Sequence, residues 1–183
     1  MGNTPESWAI AALAATLAAA AVTDVKAGRI LNAVTYPAIA IGLLGQTYLH
    51  GWGGLAQSLG GFAAGFGPLL ACWALGGIGG GDAKLMGAVG ALTNWQFALA
   101  AMICGFAVGA IMAVGVMVRR RIVRRTMGRI WRALCLALVP GVKGDWPAEA
   151  DSPKIPFGLA LCIGAAAALA DSLLGGPIAR GLL

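Results

Sequence analysis

The chain has 183 residues, of which 59% are hydrophobic and 11% charged, with a mean hydropathy of +0.82. A soluble domain carries roughly 25% charged residues, so the composition excludes one and implies an all-α polytopic membrane protein. The formal net charge is +6, and where the basic residues fall, rather than their number, predicts orientation.

The first apolar stretch, residues 8–23, has no basic residue before it. A secretory signal begins with a positive region, so this stretch is expected to be a permanent span, over about residues 7–23. Lys26 and Arg29 follow it and mark the cytoplasmic side by the charge rule, which places the N-terminus outside. A second span is expected over about residues 33–49, an outer loop at His50-Gly51-Trp52-Gly53, and a third span over about residues 55–75 that returns to a turn at residues 76–82. Asp24 and Asp82 then lie on one face of the membrane.

Residues 83–92 are short for a span, which ordinarily takes about 20 apolar residues. The next apolar stretch, residues 95–118, ends in Arg119, Arg120, Arg121, Arg124 and Arg125, which belong inside. That cluster falls inside only if the short segment, about residues 83–93, crosses, so it is read as a short crossing helix with Thr93-Asn94 as its outer turn. Arg129 and Arg132 alternate with Ile130, Trp131, Leu134 and Leu138 at helical spacing, which predicts an amphipathic helix over about residues 126–140 on the cytoplasmic membrane surface. A polar loop with Asp145, Glu149 and Asp151 precedes the last span, about residues 156–174. The expectation is about six transmembrane helices in one membrane-embedded domain, residues 1–183, with both termini outside. Every Lys and Arg except Arg180 then falls inside, and Trp8, Trp52 and Trp95 sit at the outer interface.

Few groups here can do chemistry. His50, the single histidine, is expected outside, so a Ser-His or Cys-His pair on the inner face has no base. No Gly-x-Ser-x-Gly or His-Glu-x-x-His occurs. Cys72, Cys104, Cys135 and Cys162 stand singly in apolar stretches with no Cys-x-x-Cys, and no metal site or cofactor is expected. What remains is two aspartates, Asp24 and Asp82, at helix ends on the same side. Two carboxylates close together do not both ionise easily, so one can take a proton from water while the other polarises a carbonyl, which is aspartyl protease chemistry.

Gly79, Gly80 and Gly81 lack side chains and tolerate positive φ, which would let a substrate backbone approach Asp82. Asp82 is expected near the N-terminus of the short helix, where the dipole favours an anion, and Lys84 and Lys26 are expected to favour ionisation of one acid or to snorkel. Asp24 could instead simply cap the next helix, and Asp171 reads as interfacial. The arginine cluster, Arg119 to Arg132, reads as a topology determinant and a contact for anionic lipid, not a nucleic-acid site.

Three separated stretches resemble the type IV prepilin peptidases, the Gly-x-Gly-Asp membrane aspartyl proteases. Asp24 followed by Arg29-Ile30-Leu31-Asn32 is similar to the family's first-aspartate motif, with Leu31 where the family usually has proline. Gly79-Gly80-Gly81-Asp82-Ala83-Lys84-Leu85 matches the second motif position by position. Ile155-Pro156-Phe157-Gly158 resembles the entrance to the family's last helix. The resemblance implies that Asp24 and Asp82 are the catalytic pair, in a multi-pass protein of the bacterial cytoplasmic membrane. It implies as substrate the short basic leader of a prepilin, cut just before the apolar helix of the mature pilin. Only 23 residues precede Asp24, so the chain resembles the short form that serves Flp or tight-adherence pili, without an N-terminal cysteine-rich domain. Asp145, Glu149 and Asp151 offer an acidic patch for the basic leader. Two other readings stay open on the residues alone: a small ion or proton-coupled transporter using Asp24 and Asp82, and a non-catalytic pilus or secretion assembly protein.

Overall fold

The computed structural model describes residues 6–121, 128 and 156–176. The expected amphipathic helix over 126–140 and the acidic residues Asp145, Glu149 and Asp151 lie outside the described residues, Gly128 apart. The chain divides into two compact units, residues 1–109 with 156–183 and residues 110–155. In the second unit the described residues are the last turns of a helix, ending at Arg119, then Arg120, Arg121 and Gly128, all four named residues exposed.

Five helices make up the described chain, with no strand among the described residues: α1 (Ser7–Ala27), α2 (Asn32–Ala74), α3 (Gly80–Leu92), α4 (Trp95–Arg119) and α5 (Phe157–Leu174). Four of them, α1, α2, α4 and α5, are long and apolar enough to cross a membrane.

α1 runs a turn further than its expected end at residue 23. An alanine-rich helix has no internal reason to stop at Asp24, and it ends where Gly28 adopts the left-handed conformation, φ 62, with its amide donating to the Asp24 carbonyl at 2.8 Å. Asp24 therefore sits within the last turn of α1, not beyond it.

α2 corrects the expectation of an outer loop at residues 50–53. It is 43 residues long, interrupted only at Gly51, whose φ of 60 and ψ of −142 only glycine adopts readily. Straight, such a helix would run about 64 Å. Instead the two limbs turn back at Gly51, because Gly42 of the first limb abuts Ala91 and Gly61 of the second abuts Gly90. A one-residue hinge keeps backbone groups paired along nearly the whole of α2, as an apolar solvent requires.

α3 is the centre of this arrangement. Residues 85–94 are buried without exception, and glycines bring the second limb of α2 onto it backbone to backbone: Gly61 against Gly90, and Gly65 against the Met86 carbonyl. A helix of 13 residues, about 20 Å long, ends inside the protein, and its last carbonyls need partners there. Ser58 Oγ donates to the Ala91 carbonyl at 2.7 Å, and Gln46 Nε2 donates to that of Leu92 at 3.3 Å. Each limb of α2 thus supplies one cap. Ser58→Ala is expected to lower the stability of the detergent-solubilised protein by about 1 kcal/mol. An unchanged midpoint in a denaturant titration would mean that the carbonyl is satisfied some other way.

Asn94 then starts α4, its Oδ1 accepting the Phe97 amide at 2.8 Å, an N-cap bond. α4 supports α5, with Gly105 meeting Gly164, and the Phe106 and Phe157 rings 5.7 Å apart.

Candidate active site

Asp24 is 7% exposed and Asp82 8%, and the two carboxylates lie within electrostatic reach of each other. Each is held at the start of a helix. Asp82 occupies the third position of α3, after Gly79 at the N-cap, and its amide donates to the Gly79 carbonyl at 3.1 Å. Its carboxylate folds back over that N-cap, so closely that a Cβ on Gly79 would stand 3.0 Å from Oδ2. The helix dipole favours an anion there.

Asp24 reaches the start of a different helix. Leu159 N donates to Asp24 Oδ2 at 2.8 Å, and Leu159 is the third residue of α5, whose N-cap Pro156 supplies no side-chain cap. The carboxylate of α1 therefore caps α5 in trans, satisfying an amide that the helix cannot pair itself. This explains Gly158 physically, because a Cβ there would lie 2.9 Å from both Cγ and Oδ2 of Asp24. The stretch at residues 156–158 is the seat of the first acid.

The turn expected over residues 76–82 stops short of Asp82, because α3 already begins at Gly80. Gly80 and Gly81 are helical, and the positive-φ glycines of the described residues are Gly28, Gly51, Gly76 and Gly175. Gly80 and Gly81 provide clearance instead: a Cβ on Gly81 would meet Ile30 Cβ at 3.2 Å, and one on Gly80 would meet the Trp73 indole nitrogen at 3.3 Å. The same Ile30 has its Cδ1 2.8 Å from where a Gly158 Cβ would stand. One buried apolar side chain thus touches both acid-bearing surroundings.

Lys84 contacts the stretch that follows the first acid. Its Nζ donates to Asn32 Oδ1 at 2.9 Å and lies 5.1 Å from the centre of the Tyr36 ring. It ties the second motif to the first, fixing the start of α3 against the start of α2. Lys26 is exposed in the last turn of α1, where a cation complements the dipole.

His50 is far from this site. Its Nε2 is 3.3 Å from Glu6 Oε1, and Glu6 also accepts the Trp8 indole N–H at 2.6 Å. Glu6 precedes α1 and Asp24 ends it, a separation along the helix of about 27 Å.

Four residues of this region went unassigned in the sequence: Ile30, Leu159 and Cys162 around the acids, Cys162 within electrostatic reach of both, and Tyr36 beside Lys84. Tyr36 was detectable as the residue four after Asn32 on one helix face, and Leu159 as the third residue after a proline N-cap. Ile30 stood in the stretch after Asp24 without a role of its own, and Cys162 gave no signal beyond its hydrophobicity.

Leu31, in the place of the family's usual proline, is the N-cap of α2 with φ −78 and ψ 138, a backbone that proline adopts freely. Its carbonyl accepts the amides of Val34 and Thr35, and proline would keep that carbonyl. Leu31→Pro is therefore expected to leave the protein folded and more stable by about 0.4–1 kcal/mol. A lower unfolding midpoint would show that the Leu31 amide or side chain is required.

A helical bundle that buries two aspartates together at helix ends, without a histidine near them, defines an acid-pair site in a membrane-type fold. The model of the type IV leader peptidase family matches residues 11–114, and the chain belongs to that family. The matched span contains both acid-bearing stretches and ends before residue 156. No curated protein and no solved structure gives a significant match.

Proposed function

We propose that the chain is an aspartic endopeptidase whose catalytic pair is Asp24 and Asp82, and that it removes the short basic leader of an Flp-like prepilin at the cytoplasmic face of a bacterial inner membrane. The observation that carries this is a pair of buried carboxylates, each tied to a helix start from a separate motif, with the Ile30 side chain packed against the surroundings of both. Membership of the leader peptidase family supports the reaction class.

In the proposed reaction the ionised acid of the pair takes a proton from water as the oxygen attacks the scissile carbonyl carbon. The protonated acid hydrogen-bonds and then protonates the carbonyl oxygen. The resulting diol collapses, the peptide C–N bond breaks, and a proton passes to the leaving amine, which becomes the mature N-terminus. The Leu159 amide holds Oδ2 of Asp24 and so fixes the orientation of that carboxylate. Ile30 and Cys162 keep the surroundings apolar, where charge interactions strengthen.

The reading counts six crossings by adding each limb of α2 and α3 to α1, α4 and α5, and treats residues 1–183 as one peptidase domain. It places Arg119 to Arg132 at anionic lipid and assigns Asp145, Glu149 and Asp151 to the basic leader. The test is a reconstituted assay with a leader-bearing prepilin, followed by mass, in which wild type cleaves and the acid variants do not. Intact substrate with wild type, accompanied by an Asp82-dependent ion flux into liposomes, would replace the peptidase with a transporter.

A further inference from the structure

α1 and α5 run antiparallel, since the last turn of α1 meets the first turn of α5 through Asp24 and Leu159. Between them lies an open apolar groove of about 440 Å³, within the range of roughly 300–1,000 Å³ typical of ligand sites. Its α1 wall is a helical stripe that includes Ala14, Ala18 and Ala21, and its α5 wall includes Leu159, Cys162 and Ala166. Along α5 the lining extends from Leu159 to Leu173, a run of about 21 Å.

Two features distinguish this groove from an ordinary lipid-facing seam. First, one end of it lies beside the first acid: Leu159, which lines the groove, donates its amide to Asp24 Oδ2 at 2.8 Å. Second, its walls are rich in alanine, and small side chains let a further helix approach closely in a membrane. Ala14, Ala18 and Ala166 are exposed, so the stripe is not used up in packing α1 onto α5.

We infer that this groove receives the apolar helix of the substrate, with the scissile bond at its Asp24 end. The inference rests on the peptidase reading above and deepens it. A peptidase that cuts just before an apolar helix must hold its acids at one end of a helix-sized apolar trough, and the groove supplies that geometry. The leader then lies beyond the acids, and the mature helix lies along α1 and α5.

The test places a photo-crosslinking amino acid at residue 18 or residue 166 of the full chain carrying Asp24→Asn and Asp82→Asn, in vesicles with a leader-bearing prepilin. Crosslinks are expected to map to the apolar helix of the prepilin, and the same probe at residue 15, which does not line the groove, is expected to give none. In the otherwise native chain, Ala18→Leu with Ala166→Leu is expected to raise KM for the prepilin roughly tenfold or more while kcat stays close to the native value. Native cleavage with no such crosslink and no KM change, or crosslinks to lipid alone, overturns the groove and leaves the peptidase standing. No native cleavage of any leader-bearing substrate, with the crosslink present, overturns the peptidase and keeps the groove as a helix-binding site.

Discussion

Asp82→Asn and Asp24→Asn each lower the rate of leader removal by roughly 10²–10⁴-fold, the share that a positioned acid or base supplies, while both variants still insert and fold. Asparagine matches aspartate in shape and keeps an oxygen acceptor, so Asp24→Asn can still receive the Leu159 amide that holds α5 in place. What it removes is the ability to carry a proton to or from water. The double variant is expected to be little worse than either single one, because groups that act as a unit are not additive. Leader removal by mass, with thermal unfolding in detergent alongside, separates lost chemistry from lost fold. Near-native cleavage by either variant would end the proposal that these two residues are the catalytic pair.

Gly90→Val destabilises the protein by about 1–3 kcal/mol or more and abolishes activity with it. A Cβ at Gly90 would overlap the Gly61 carbonyl, and a Cβ at Gly61 would overlap the Gly90 carbonyl, so the obstruction is backbone on both sides. No side chain can rotate away to relieve it. α2 would have to lift from α3, exposing the caps that Ser58 and Gln46 provide. Gly60→Val is the control, since a Cβ at that position meets nothing within 4 Å. Equal unfolding midpoints for the two variants would show that α2 and α3 do not cross at Gly61 and Gly90.

Much of this arrangement was legible in the sequence because it follows from solvent physics. Apolar length gave α1, α4 and α5 close to their observed bounds, and the arginines after α4 argued for α3 as a helix although it is short. The acids emerged by elimination, since no other side chains could do hydrolytic chemistry. What escaped was whatever depends on one glycine or on a distant partner. Gly28 and Gly51 have the same composition signal as any of the chain's 29 glycines, yet one ends α1 and the other bends α2. His50-Gly51-Trp52-Gly53 looked like a loop because its residues are poor helix formers, but one non-helical residue, Gly51, is enough to turn the chain between the two limbs. The reason for Gly158 lies in a carboxylate on another helix, and Lys84 is spoken for by Asn32 and Tyr36. Neither fact has a periodic signature.

The bond between Asp24 and Leu159 joins residues 135 positions apart, and this has a consequence for biosynthesis. At a ribosomal pace of roughly 5–20 residues per second, Asp24 waits on the order of ten seconds before the amide it caps is made. During that interval the first helix carries an acid whose partner does not yet exist. The site is completed from its two ends, and a nascent or truncated chain that stops short of α5 has α1 and α3 in full but no seat for Asp24. The order of synthesis thereby makes the bond that seats Asp24 one of the last parts of the site to form.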